Sequence, residues 1–309
     1  MKSVAIVGAG VAGLSAAHVL RAQGLAVTLF DKGRNPGGRL ASRLTAHGAF
    51  DHGLPLLDAQ APATCRWLEQ LCQTGHLGQW GAATTRVGLP HNNQIARDAA
   101  QGLDLHLSHP VTAVRPHGGR WRVQGRGGEA AQFFDGMIVT VPQPQLAALL
   151  PEMVLPPLLD QIVYDPCWTL LWVPAASPLP ATAMMRPEGH PAIAQVLRED
   201  LKPGREGSAR YVVHANAEWS RAHLEQTPET VAEALQDAAA ARLGIAPGAH
   251  FALAHRWRYA QVRQSLRRPQ WRLAAGLHYA SDGCLGRTVE DALTSGSMAA
   301  QSLLEHLNT

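Results

Sequence analysis

A chain of 309 residues with 46% hydrophobic side chains can bury a large core, and at this length two lobes are expected rather than one. Its formal net charge is only +3 and no dense Lys/Arg run appears, which argues against nucleic acid as a partner. Four widely spaced cysteines without a C-x-x-C pair argue against a disulfide framework or structural zinc, and no stretch reaches the roughly 18 apolar residues of a membrane span, so a soluble protein of the reducing cytoplasm is expected.

Residues 4–7 form a short apolar run ended by Gly8, predicted as a buried parallel strand. Residues 11–23 carry apolar side chains at helical spacing and stop at Gly24; residues 26–30 predict a second buried strand. Two such strands joined by a helix make a right-handed βαβ unit. A helix is predicted over 63–73, strands over 111–114 and 121–123 with a turn at Gly118-Gly119, and one buried strand over 133–141. Residues 143–181 are rich in Pro and Leu, as where a chain leaves one domain for another. Beyond them come a strand over 211–215, a helix over 229–243 started by Thr227-Pro228 and stopped by Gly244, strands over 251–259 and 273–279, and a closing helix over 288–306.

The first βαβ unit contains Gly8-Ala9-Gly10-Val11-Ala12-Gly13, a G-x-G-x-x-G sequence preceded by a strand and opening a helix. The first glycine permits the turn, the second lets a pyrophosphate reach the backbone, and the third allows the helix to pack on the strand. Unpaired N–H groups at the helix start favour phosphates. Asp31, eighteen residues after Gly13, ends the second strand where it can accept bonds from a ribose diol. A carboxylate there disfavours the 2′-phosphate of NADP and leaves NAD or FAD. Three further features select FAD: Pro36-Gly37-Gly38-Arg39 directly after the second strand, Asp51-His52-Gly53, and Ser281-Asp282-Gly283 before the closing helix. Arg39 offers a fork to phosphate oxygens and Asp282 an acceptor for a sugar or ribityl hydroxyl, and the helix near Thr288 can aim its positive end at a flavin ring.

On a strand over 251–259, His255, Trp257 and Tyr259 share one face and Arg256 and Arg258 the other. By pattern alone the aromatics read as core and the arginines as a solvated or ion-paired face. The functional alternative sets His255 and its neighbours over the flavin, with either arginine available for a phosphate of a dinucleotide substrate. The histidines lack ligand-like spacing, and no metal is expected.

With these residues in place the chain resembles the renalase family of FAD-dependent oxidases, within the flavin amine oxidase superfamily. The resemblance rests on Phe30-Asp31-Lys32 with Pro36-Gly37-Gly38-Arg39, on Val139-Thr140-Val141-Pro142, Asp165-Pro166-Cys167-Trp168, Glu218-Trp219-Ser220 and, most distinctively, Leu253-Ala254-His255-Arg256-Trp257-Arg258-Tyr259-Ala260, then on Asp282 and Val289-Glu290. It implies an α/β protein: a Rossmann-type FAD-binding domain over 1–57, 85–145 and 261–309, and an inserted α+β substrate domain with a mostly antiparallel sheet over 58–84 and 146–260. It implies FAD contacts from Gly8, Gly10, Val11, Ala12 and Gly13, from Asp31, Lys32, Gly38, Arg39 and Gly53, and from Val111, Asp282 and Val289, with His255, Trp257 and Tyr259 in the active site. The implied reaction oxidises 2- or 6-dihydro isomers of nicotinamide dinucleotides, with O2 as acceptor and hydrogen peroxide as product. An amine oxidase or desaturase, and an FAD-binding protein with little turnover, are the alternatives. The chain departs from its relatives at Gly53-Leu54-Pro55-Leu56-Leu57-Asp58, where they carry Gly-Ala-Gln-Tyr-Phe-Thr, at Gly283, where they carry Trp, and at Pro90-His91-Asn92-Asn93.

Overall fold

The computed structural model describes residues 1–72, 75–126, 132–175 and 182–308. The chain opens with strand β1 (Ser3–Val7), helix α1 (Val11–Ala22) and strand β2 (Ala26–Phe30), then adds β3 (Asp104–His106) and β4 (Gly136–Val139). A second group follows: β5 (Val163–Pro174), β6 (Met184–Met185), β7 (Ile193–Arg198), β8 (Tyr211–Ala215), helix α2 (Pro228–Leu243) and β9 (Ala249–Gln264). The chain then returns through β10 (Trp271–Ala274) and β11 (Leu277–Tyr279) and ends in helix α3 (Val289–Leu307).

These strands form two main sheets. The first runs β10-β11-β4-β1-β2-β3, parallel except for the β10/β11 hairpin. β1 lies at its centre and is buried on both faces, as its apolar run requires. Val4 and Ile6 pack with Leu14, Leu20, Ala299 and Leu303 of α1 and α3. Ala5 and Val7 pack with Val114, Trp121 and Val123, from a three-stranded antiparallel sheet of Val111–His117, Arg120–Gly125 and Gln132–Phe134. One face of the parallel sheet is thus covered by helices and the other by strands.

The second sheet is antiparallel, in the order β6-β7-β8-β5-β9. Alternation along β5 divides its residues: Trp168, Leu170 and Trp172 pack with Val231, Leu235 and Ala239 of α2, whereas Leu171 and Val173 pack with Phe50, Trp80 and Val87. The observed α2 matches its predicted punctuation, with Thr227 accepting from the N–H of Thr230 and Gly244 left-handed at the stop.

Three predicted elements differ from the observed ones. The single strand expected over 133–141 is two, because Asp135 turns aside to Ser3: its carboxylate accepts from the Ser3 N–H at 2.7 Å and its own N–H donates to the Ser3 carbonyl. That turn moves the chain from the small antiparallel sheet into the parallel one. The strand expected over 273–279 is the β10/β11 hairpin, folded at left-handed Gly276. The strand expected over 251–259 extends to Ala249–Gln264 because β5 pairs with it along nearly its whole length. The predicted helix over 63–73 runs Pro62–Cys72, and its expected last residue, Gln73, lies outside the described residues. Among the described residues no helix is long and apolar enough to cross a membrane.

Candidate active site

The glycine loop sits between the ends of β1 and α1, and each glycine has a distinct constraint. Gly8 is left-handed at φ 110°, and a Cβ there would lie 2.6 Å from Thr140 Oγ1. That hydroxyl donates to the carbonyls of Val7 and Gly8, tying β4 to the loop. A Cβ on Gly13 would run into the Gly8 carbonyl, so α1 packs onto the strand only with glycine there. Gly10 is the opposite case: nothing lies within 4 Å of its Cβ position. The N-terminus of α1 has no side-chain cap, so its first amides face this open space. A cradle that a Cβ would fill, lined by unpaired N–H groups, fits a pyrophosphate.

The residues expected around that cradle are arranged to build it. Asp31 receives the Ala9 N–H at 2.7 Å and the Gly33 N–H at 2.6 Å, which fixes the loop and leaves lone pairs on both oxygens. Gly37 donates its N–H to the Ala9 carbonyl, and Gly38 lies over Gly10, where its own Cβ would be 3.6 Å from the Gly10 Cα. Lys32 is exposed and reaches Gln145 at 3.0 Å. Val111 begins its strand beside the same core as Val7. Gly53 is required where its segment crosses the Arg39 loop, since a Cβ would strike the Arg39 carbonyl.

Arg39 and Asp282, expected to serve a phosphate and a sugar respectively, meet each other at 2.6 Å. Arg39 also donates to the Ala260 carbonyl at 3.1 Å, which joins β9 to the loop. Asp282 opens a short helix, Asp282–Leu285, which precedes the predicted closing helix. The following α3 begins at Val289 with a capping box between Thr288 and Asp291. Its other first-turn acid, Glu290, caps the neighbouring helix by accepting from the N–H groups of Ala63 and Thr64. Gly283 has a physical cause as well: a Cβ there would lie 2.6 Å from both Ile162 Cγ2 and the Tyr164 hydroxyl. Tyr164 fills that space, and its ring lies 6.0 Å from Tyr259. Burial, with Asp282 adding to it, pushes the Tyr164 phenol up to about 12.

The second constellation lies on the face of the antiparallel sheet that α2 does not cover. Register places His214 of β8 and His255 of β9 on either side of Thr169 of β5, with Trp257 opposite Cys167. His52, from the loop after Phe50, closes over this row. Its ring stands 4.8 Å from His255, edge to face, and 5.3 Å from Trp257, nearly parallel, and its carbonyl accepts from Trp257 Nε1 at 2.9 Å. Gln195 meets His214 Nδ1 at 2.7 Å. Burial pushes His52 down to about 3, with His255 and Arg43 adding to the shift, and burial with Lys202 pushes His214 down to about 4. His255 is also lowered, by burial and then Arg43. All three imidazoles are therefore neutral at pH 7; among the described residues none of them is hydrogen-bonded or ion-paired to a carboxylate, and Asp51, the one acid that acts on His52, is outweighed by burial and His255.

His255 and Trp257 thus come together, while Tyr259 lies further along β9 toward Tyr164. Arg256 and Arg258 point to the opposite face, where Glu225 binds both, at 3.2 and 2.6 Å, and Arg256 also covers Trp168. The ion-paired reading holds for these arginines, and the phosphate-binding one is set aside.

Sequence reasoning missed a third group. Asp51, Glu199, Lys202 and Arg205 form a network of two acids and two bases whose side chains are at most 1% exposed. Burial opposes the charge on Asp51, but Lys202 and Arg205 outweigh it and hold the carboxyl at about 2. The available signal was scarcity: Lys202 is one of only three lysines, and it lies in a turn rather than on an amphipathic helix.

Comparison with known proteins agrees with this geometry. The family described as "Flavin containing amine oxidoreductase" matches residues 83–304, and "NAD(P)-binding Rossmann-like domain" matches residues 6–71. Protoporphyrinogen oxidase 2, chloroplastic/mitochondrial, from Arabidopsis thaliana is 39% identical over 70 residues; the match spans 23% of this chain and 14% of that protein's length. Two cofactor-binding redesigns of putrescine oxidase, a double and a triple mutant, superpose with TM-scores of 0.70 and 0.72 over 98% of this chain and 99% of theirs. Both are 13% identical to it, so the likeness is one of fold. With a cradle that fits its pyrophosphate and a family match over most of its length, the chain belongs to the flavin-containing amine oxidoreductase family and is an FAD-dependent oxidoreductase.

Proposed function

We propose that the enzyme oxidises a neutral, planar, reduced nicotinamide-type substrate, a 2- or 6-dihydro isomer of NAD(P), with O2 as final acceptor. The observation that carries this reading is the face formed by His52, His214, His255 and Trp257: flat rings, neutral at pH 7, and among the described residues none of them ion-paired to a carboxylate. Bound FAD supplies hydride acceptance and re-oxidation by O2 with release of hydrogen peroxide. Such a transfer needs no strong base, so the protein's task is to align rings and exclude water. His255 and Trp257 stack against the substrate, and Tyr259 borders it on the Tyr164 side. The glycine loop and Asp31 hold the adenosine diphosphate half of FAD, Arg39, Gly53 and Asp282 its ribityl and ring half, and the first amides of α3, Val289 included, face the ring. Lys32, Gly38 and Val111 complete the wall. In this reading residues 1–57, 85–145 and 261–309 make the FAD domain and residues 58–84 and 146–260 the substrate domain, and the protein works in the cytoplasm.

A second reading, oxidation of an amine or desaturation of another small molecule, is favoured by the apolar Leu54-Pro55-Leu56-Leu57. Leu57 is fully buried in the core that contains α1, and Leu56 packs against Phe50 and Trp80, so only part of this segment is free to line a pocket. Anaerobic mixing separates the readings. Bleaching of the flavin by 6-dihydroNAD and not by putrescine or benzylamine is expected. Bleaching by amines alone sinks the proposal, and bleaching by none points to an FAD-binding protein with little turnover.

A further inference from the structure

The buried network of acids and bases grips one short segment at both ends. Lys202 Nζ lies 2.9 Å from Asp51 Oδ2 and 2.6 Å from Glu199 Oε1, and it donates to the Pro55 carbonyl at 2.9 Å. Two of its protons thus go to Asp51 and Pro55 as hydrogen bonds, and its contact with Glu199 is an ion pair. Arg205 reaches Asp51 at 2.5 Å, Glu199 at 2.7 Å and the Gly88 carbonyl at 3.3 Å. The other Asp51 oxygen accepts from Ser42 Oγ at 2.6 Å and from the Asn92 N–H at 2.9 Å, and Asn92 Nδ2 donates to the Leu54 carbonyl at 2.8 Å. Residues 51–55 are held from below at Asp51, Leu54 and Pro55.

Between those anchors lie the residues that meet both halves of the site. His52 rests on His255 and Trp257, and Leu54 donates its N–H to the Arg39 carbonyl at 2.7 Å. Ion pairs sealed from water gain little net stability over apolar residues of similar volume, because desolvation offsets their attraction. What a Lys at this point adds is geometry. One ammonium, satisfied only when Asp51 and Pro55 are both within reach, sets where the segment between them can sit.

We propose that Lys202 is a positioning residue for the active site: by clasping Asp51 and Pro55 it sets His52 against His255 and Trp257, and so sets the orientation of the substrate ring over the flavin. This rests on the imidazole face being the substrate face.

The test uses the FAD-loaded enzyme and two variants, Lys202→Met and the double variant Lys202→Met with Glu199→Gln. The single variant leaves two buried acids facing one base, and its folding is expected to suffer. The double variant removes one charge of each sign, keeps the Asp51–Arg205 pair, and loses the clasp on Pro55. The readouts are the thermal midpoint, the rate of flavin reduction by 6-dihydroNAD, and the protonation of His52 followed by NMR of labelled histidine, assigned with His52→Gln. The charged and titratable groups facing His52 are His255, Arg43 and Asp51, all retained in the double variant. His52 stays neutral down to pH 5 in the wild type. In the double variant it is expected to titrate near 6.5, the ordinary value for an exposed imidazole, while flavin reduction slows at least tenfold. A double variant whose His52 remains neutral at pH 5 overturns the proposal, as does unchanged flavin reduction with a released His52. If 6-dihydroNAD fails to bleach even the wild type, the substrate reading falls, and the His52 titration still decides what Lys202 holds.

Discussion

The glycine loop and the imidazole face are both polar sites, but they are built over different lengths of chain. The loop is made mostly within about 30 residues, by steric necessity at Gly13, openness at Gly10, and one carboxylate, Asp31, that reaches back to Ala9, with Thr140 the distant residue that closes on Gly8. The face needs His52 from one end of the chain, Thr169 and His214 from the middle, and His255 and Trp257 near the other end. A local site fails by a single atom. A distributed site fails by losing the registers and the buried environment that hold its rings together.

The largest expected effect exposes that environment. The folded enzyme keeps His52 and His214 neutral far below 6.5, the ordinary histidine value, while the unfolded chain takes up protons there. Their contribution to stability is therefore complete above pH 6.5 and is lost as pH falls, toward about 4 for His214 and about 3 for His52. Between pH 6 and pH 5 the two together cost about 2–3 kcal/mol, read as a fall in urea unfolding free energy. Asp51 acts in the same direction lower down, its contribution draining between about pH 4 and pH 2. A stability profile flat from pH 7 to pH 5 would mean the rings are solvated, and the contrast with the loop would disappear.

At the loop, two alanines sharpen the comparison. Gly13→Ala drives a methyl into the Gly8 carbonyl and is expected to cost about 1–3 kcal/mol of stability and to yield protein without flavin absorbance. Gly10→Ala meets no protein atom, so the thermal midpoint of the apoprotein should stay put while FAD affinity falls about tenfold, roughly 1.4 kcal/mol. Equal loss of stability in both variants would show that Gly10 does not face the cofactor.

A smaller effect is expected from Trp257→Phe, which removes the 2.9 Å bond to the His52 carbonyl and keeps the ring. Stability should drop by about 1 kcal/mol and flavin reduction should slow, with FAD retained. The smallest belongs to the outer face of β9. Arg258→Ala breaks an exposed pair with Glu225 and should leave thermal midpoint, FAD content and flavin reduction unchanged. A raised KM for a dinucleotide in that variant would return the phosphate-binding role to this arginine.

Much of the site's frame was legible beforehand because its signals are local. Gly8, Gly10 and Gly13 stand in a strand-to-helix turn, Thr227 and Gly244 bracket α2, and alternation along β9 separates His255 from Arg256. Other features were hidden because their causes are distant. Asp135 ends a strand only because Ser3 lies beside it, and Gly283 is small because Tyr164 occupies the space. The pairing of Arg39 with Asp282 joins residues 243 positions apart, and no spacing rule reaches that far.

By itself, the sequence determined that a dinucleotide-type cofactor is held at Gly8 to Gly13, because backbone conformation, steric room and helix-end N–H groups are properties of a few consecutive residues. The tertiary structure decided which histidines are neutral, which arginines are occupied, and that Lys202 binds Asp51 and Pro55 on either side of His52. Those depend on desolvation and on which charges pack together, and neither is a property of residues read along the chain.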